Sequence, residues 1–207
     1  TQALNYCDCR VSHLGVDLLS FSGHKIYGPK GIGGLYLKSG VVLEPLFFGG
    51  HQQNNIRPGT YNVSGIVGLA TAIDLIGASN RQRENQRIEK LRDRLIATVQ
   101  REISGVVLNG DLVKRSPNNA NFVFRGVEGE SLVLLLSERG IAVSTGSACS
   151  SGSLEPSHVL AALGLAPELA HGSLRVSLGR FNRQTDIDYF VTELTRAVKR
   201  LRKMSPL

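Results

Sequence analysis

FSGHKIYGPKGIGG, residues 21–34, decides how the rest of the chain is read. An apolar run, Val16-Asp17-Leu18-Leu19-Ser20-Phe21, leads into it, and Gly28, Pro29, Gly31, Gly33 and Gly34 crowd its second half. Apolar run, polar elbow and glycine-rich turn together predict a buried strand that delivers a side chain into a site. The side chain delivered is Lys25. An ammonium at the inner end of a buried strand carries a heavy desolvation cost, so it is neutralised, paired or used covalently. The plainer alternative is a strand-end lysine that reaches solvent. Ser22 and His24 place a hydroxyl and an imidazole beside Lys25, donors suited to an anionic group such as a phosphate. Residues 34–38 read as a second short strand, completing strand, turn and strand around the lysine.

Downstream, residues 41–53 predict a loop with an exposed Phe47-Phe48-Gly49-Gly50. From residue 63 the period changes. Residues 63–76 are apolar almost all round and rich in small residues, as expected of a helix buried on several sides. Residues 83–103 form an amphipathic helix in which Ile88, Leu91, Leu95, Val99 and Ile103 share one stripe and the charges form a solvated face. Gly-Ala-Ser-Asn at 77–80 breaks the pattern, which places a domain boundary there: 1–78 and 79–207. The second part alternates strands (106–108, 121–127, 141–143, 174–178) with helices (131–139, one after Pro156, one from Asp186). Thr185 is the expected cap of the last helix, whose Ile187, Phe190, Val191, Leu194, Val198 and Leu201 keep helical spacing. The fold class is α/β.

Composition bounds the partners. The 207 residues are 42% hydrophobic and 20% charged, ordinary for a globular protein with a buried core. The net charge of +7 is scattered except at Lys199-Arg200-Leu201-Arg202-Lys203, and a solvated basic surface is the expectation rather than direct nucleic-acid binding. No apolar stretch is long enough to span a bilayer, so no membrane partner is expected. Three cysteines, an odd count without a signal peptide, point to free thiols in a reducing, cytoplasmic compartment. The N-terminus lacks an initiator Met and reads as cut, which leaves an organelle open. Cys7-Asp8-Cys9 lacks a second pair at ligand spacing, so no metal is expected there.

Two further residues carry chemistry. Cys149 lies in Ser-Thr-Gly-Ser-Ala-Cys-Ser-Ser-Gly-Ser (144–153), a small polar stretch expected to be mobile and exposed. A thiol there is a candidate nucleophile, reactive as its thiolate. Arg175, inside the apolar Leu174-Arg175-Val176, needs either a carboxylate ligand or an internal acid. Arg180 reads as structural.

The stretch SGHKIYGPKGIGG resembles the lysine motif of the NifS/IscS cysteine desulfurases, class V aminotransferase-like enzymes of pyridoxal-phosphate fold type I. Thr1-Gln2-Ala3 resembles the end of that family's D-x-T-Q-A segment, Arg57-Pro58-Gly59-Thr60 its R-x-G-T segment, residues 146–158 its cysteine loop, and residues 173–180 its arginine strand. The resemblance implies a truncated large domain, with a partial mixed sheet and helices, followed by a small α/β domain. It implies pyridoxal 5'-phosphate on Lys25, with Ser22 and His24 at the phosphate, Gln2 at the phenolic oxygen, and Thr60 reaching the phosphate of the other subunit of a homodimer. Arg175 receives the carboxylate of L-cysteine and Cys149 takes the sulfur as a persulfide, leaving L-alanine. The acceptor is an iron-sulfur scaffold or a tRNA-thiolation protein. The family's pyridine-nitrogen aspartate falls just before Thr1, so the chain alone is expected to be inactive. Alternatives are a selenocysteine lyase or other class V enzyme, and a truncated chain that serves only in binding or dimerisation.

Overall fold

Ser20, midway along the run that enters the lysine turn, pairs with Leu35, and the ladder continues through Leu18↔Leu37 and Ser22↔Gly33. These residues form β1 (Leu18–Ser22) and β2 (Gly33–Leu37), a two-stranded antiparallel sheet. The computed structural model describes residues 1–145 and 157–204. They divide into two units, Thr1–Arg83 and Glu84–Leu207, the division falling a few residues beyond the 78/79 boundary expected from the sequence.

In the first unit the connection between the strands opens with a 3-10 turn, Gly23–Ile26, ended by Tyr27 in the left-handed region at φ 64°. Gly23 closes the turn from both sides: its N–H donates to Ile32 at 2.8 Å and its carbonyl accepts from Gly28 at 2.9 Å. Ile26, fully buried, packs with Leu69, Ala72 and Ile76, and with the half-buried Leu4, Phe21 and Ile32. Leu69 and Ala72 belong to α2 (Val63–Leu75), whose N-terminus is capped by Asn62 Oδ1 accepting from the Gly65 N–H at 3.0 Å. Small residues let α2 approach the turn: a Cβ at Gly68 would lie 2.5 Å from Pro29 Cγ.

Two expectations are corrected here. The strand entering the turn is not buried, since Leu18 is 45% exposed and its β2 partner face carries Leu35 at 51%. The α2 helix is buried on one face only; Leu69 and Ala72 pack in the Ile26 cluster while Ile66, Val67, Ile73 and Leu75 are exposed. A one-turn helix, α1 (Val11–Leu14), precedes β1, and residues 41–50 form the expected loop, with Phe48 90% exposed.

The second unit is built on a three-stranded antiparallel sheet in the order β3 (Val106–Leu108), β4 (Asn119–Phe124), β5 (Ser173–Ser177). Alternation gives the sheet two different faces. Ala120, Phe122 and Phe124 share the apolar face with Leu174 and Val176, all buried. They are buried along with the inner stripes of three helices: Ile88, Leu95 and Val99 of α3 (Ala78–Glu102), with Ile103 just past its end, Leu132 and Leu136 of α4 (Gly129–Ser137), and Ile187, Phe190, Leu194 and Val198 of α7 (Gln184–Met204). Short helices α5 (His158–Ala162) and α6 (Pro167–Ala170) precede β5. Among the described residues no single helix is long and apolar enough to cross a membrane.

Residues 141–143 are not a strand. The chain leaves α4 through Gly140 in the left-handed region (φ 72°), and the Ile141 N–H is still spent on the Leu136 carbonyl. Only Ser144 reaches the sheet edge, as an isolated bridge to Arg175. Thr185 is likewise inside α7 rather than its cap; Asp186 Oδ2 instead accepts the Arg183 N–H at 3.0 Å.

The β3–β4 connection is a turn closed by Asp111, whose Oδ1 accepts from the N–H groups of Lys114 (2.6 Å) and Val113 (2.7 Å). These bonds favour the carboxylate and hold its pKa below the ordinary 3.8. A depressed folded-state pKa contributes stability above 3.8 and loses it as pH falls through the lower folded value. Protection of the Val113 and Lys114 amides, measured against their intrinsic exchange rates, is therefore expected to fall on acidification below pH 3.8, and Asp111→Asn is expected to remove that pH dependence.

Candidate active site

The lysine turn gathers its donors by local geometry. Ser22 ends β1, and His24 and Lys25 sit on the 3-10 turn that follows. The Lys25 side chain is exposed rather than held at the inner end of a buried strand, so the solvent-reaching position corrects the buried one. Its backbone is fixed all the same, because the buried Asn5 donates Nδ2 to the Lys25 carbonyl at 2.5 Å. Asn5 closes the 3-10 helix Gln2–Asn5, which brings the segment bearing Gln2 against the turn bearing His24 and Lys25. Among the described residues the side chains of Ser22, His24 and Lys25 take no ion-pair partner. A hydroxyl, an imidazole and an ammonium projecting from one short junction fit a phosphorylated aldehyde cofactor such as pyridoxal phosphate: anion donors together with an amine able to bond to the carbonyl carbon.

Thr60 is exposed in the segment before α2. Arg57, three residues earlier, stacks its guanidinium over the Phe47 ring (5.4 Å to the centroid) and donates to the Pro58 carbonyl. The acids nearest in sequence to the lysine turn are committed elsewhere. Asp17 pairs with Lys38 at 2.7 Å at the base of the hairpin, and Asp8 accepts from Arg10 at 2.6 Å and lies 2.9 Å from His13 Nδ1. The Arg10 bonds hold the Asp8 carboxyl well below the usual carboxylate range. Cys7 and Cys9 are free thiols, with the Cys9 thiol pushed up first by burial and then by Cys7. Among the described residues no cluster of His, Cys, Asp and Glu is arranged to hold a metal ion.

Arg175 lies on the second face of the three-stranded sheet, half-buried. Residues paired across a ladder point the same way, so this face carries Asn119, Asn121 and Ser173 together with the buried Val123. Asn121 stands opposite it on β4, Ser144 bridges it on the other edge, and Asn109 donates Nδ2 to Asn121 Oδ1 at 2.6 Å. Among the described residues no carboxylate pairs with Arg175, and the residues paired beside it across the ladder, Asn121 and Ser144, carry an amide and a hydroxyl. Asn109 and Asn121 escape the sequence reading; their signal was the polar residue at every second position of β4 (Asn119, Asn121) against buried Phe122 and Phe124. Arg180 is structural, paired with Glu84 at 2.9 Å. Cys149 lies outside the described residues.

The lysine turn lies in the first unit and the arginine strand β5 in the second. The chain matches the model of the class-V aminotransferase family over residues 1–190 and belongs to that family. It is 50% identical over 205 residues to cysteine desulfurase IscS of Dictyoglomus turgidum, covering 99% of this chain and 52% of that protein. It is also 50% identical over 206 residues to IscS of Methanosarcina thermophila, covering 100% and 50%. Among solved structures, a NifS-like protein matches with TM-score 0.85 at 33% identity over 96% of this chain and 51% of that one. The structure of SspA in complex with cysteine matches with TM-score 0.66 at 31% identity over 88% and 49%. The chain spans about half the length of the curated relatives it matches.

Proposed function

We propose that the chain is part of a pyridoxal-phosphate-dependent cysteine desulfurase that takes sulfur from L-cysteine, releases L-alanine and carries the sulfur as a persulfide on Cys149. The observation that carries this reading is the lysine turn, with Ser22, His24 and Lys25 on one junction, in a chain half identical to IscS proteins. When bound, pyridoxal phosphate supplies an electron sink for negative charge at the substrate Cα. Ser22 and His24 hold the phosphate, Gln2 donates to the phenolic oxygen, and Thr60 completes the phosphate site of the partner subunit in a homodimer. Lys25, exposed on a backbone fixed by Asn5, removes the Cα proton and returns one. Arg175 orients the substrate by its carboxylate.

The Cys149 thiolate attacks the substrate sulfur. A new S–S bond forms as the Cβ–S bond breaks, and the bonding pair stays with the substrate carbon, which then takes a proton. Sulfur is oxidised to the sulfane level and carbon is reduced, so the exchange needs no outside oxidant. An iron-sulfur scaffold or another acceptor protein receives the sulfane sulfur, in a reducing compartment suited to the free thiols Cys7 and Cys9; the cytoplasm is the compartment we propose.

In the full-length enzyme, Arg175→Ala is expected to raise KM for L-cysteine by roughly 10- to 150-fold, the scale of about 1.5–3 kcal/mol for bonds to a charged group. An unchanged KM would contradict the carboxylate role, and absence of alanine production by the unmutated enzyme would contradict the desulfurase reading itself.

A further inference from the structure

Asn121 stands opposite Arg175 in a pairing that brings the two side chains close. Arg175 spends both backbone groups on Ser144: its N–H donates to the Ser144 carbonyl at 2.6 Å, and its carbonyl accepts from the Ser144 N–H at 3.2 Å. Asn121 likewise turns its carbonyl away from β5, accepting from the Asn109 N–H at 2.8 Å. The pair is therefore of the non-hydrogen-bonded kind, in which opposite Cα atoms lie about 4.5 Å apart and side chains approach most closely. The Asn121 amide is also oriented. Asn109, buried at 8% exposure, donates Nδ2 to Asn121 Oδ1 at 2.6 Å, and its own carbonyl accepts from Arg115 Nη2 at 2.9 Å. With Oδ1 committed on the β3 side, the NH2 of Asn121 is the end left for the β5 side. Among the described residues neither that NH2 nor the Arg175 guanidinium has a side-chain acceptor. Two donors side by side lack an acceptor, and a carboxylate, with its two oxygens, accepts from both.

We propose that Asn121 is a second carboxylate ligand beside Arg175, with Asn109 the positioning residue that turns its amide toward the ligand. That the ligand is the carboxylate of L-cysteine rests on the functional reading above. The pair itself is tested without cofactor. When the purified chain is titrated with sodium acetate, against sodium chloride at equal ionic strength, the Asn121 side-chain NH2 and the Arg175 Nε–H are expected to shift together in proton–nitrogen NMR. The Asn121 shift is lost in Arg175→Ala. A shift at Arg175 alone, or at neither group, would overturn the proposal. In the full-length enzyme, Asn121→Ala is expected to raise KM for L-cysteine about tenfold, the effect of losing one bond to a charged group. Asn121→Asp keeps the acceptor for Asn109 but sets a carboxylate against that of the substrate, so it is expected to raise KM further. Cysteamine, which has the amine and thiol of cysteine without the carboxylate, is the control, and its inhibition constant should not move in either variant. With alanine still produced by the unmutated enzyme, an unchanged KM in Asn121→Ala, or a cysteamine constant that rises in step with KM, overturns the proposal and leaves the desulfurase reading standing. A joint acetate shift, with no alanine from the unmutated enzyme, would keep the carboxylate pair and strike the desulfurase reading.

Discussion

Cys149→Ser in the full-length enzyme is expected to abolish persulfide formation from L-cysteine while leaving cofactor incorporation at Lys25 intact. The loss should be roughly 10³-fold or more, the scale on which removal of a nucleophile acts. The two readouts separate because cofactor incorporation needs the Lys25 amine and not the thiol. A serine hydroxyl is nearly isosteric but far less ionised than a thiol at neutral pH, so it cannot supply the anionic nucleophile. Mass spectrometry of the cysteine-treated protein reads the added sulfur on the peptide bearing residue 149. Persistence of that sulfur in Cys149→Ser would move the acceptor role to another thiol and overturn the assignment.

The second large effect is on stability. Phe122 is fully buried at the centre of β4, its ring centroid 6.1 Å from that of Phe124, on the sheet's apolar face. Phe122→Ala is expected to cost about 3–5 kcal/mol through lost transfer energy and the cavity left behind, a large share of the ~5–15 kcal/mol typical of a domain. The urea midpoint of the Glu84–Leu207 unit, followed by helix circular dichroism, should fall accordingly. Val107, on the other face of the edge strand and 41% exposed, serves as the control: its truncation should change stability by about 0.5 kcal/mol or less. Equal effects at the two positions would contradict the two-faced description of this sheet.

Periodicity made the second unit legible. Ile88, Leu91, Leu95, Val99 and Ile103 are buried as their spacing predicts, and so are Ile187, Phe190, Val191, Leu194 and Val198. A helix stripe is a property of the local sequence and survives whatever packs against it. The lysine turn was legible for the same reason: strand, glycine turn and strand are local, and the register Ser22↔Gly33 follows from them. Burial was harder to read, because it depends on what the rest of the fold brings. Leu18 and Leu35 are apolar yet half exposed, and α2 reads as buried on several sides while Ile66 and Val67 face outward.

The run at 141–143 is apolar enough for a strand, but the chain is still closing the C-terminus of α4 there and meets the sheet only at Ser144. At the site, Lys25 and Arg175 stood out as charges in apolar surroundings. Asn109 and Asn121 did not, since their roles arise from cross-strand pairing that spacing alone does not reveal.

The most direct test of the account is to add pyridoxal phosphate to the purified chain, reduce with borohydride and map the modified peptide. The account predicts pyridoxylation at Lys25, lost in Lys25→Ala. Label spread over exposed lysines such as Lys30, Lys38 and Lys90, undiminished by Lys25→Ala, would contradict it.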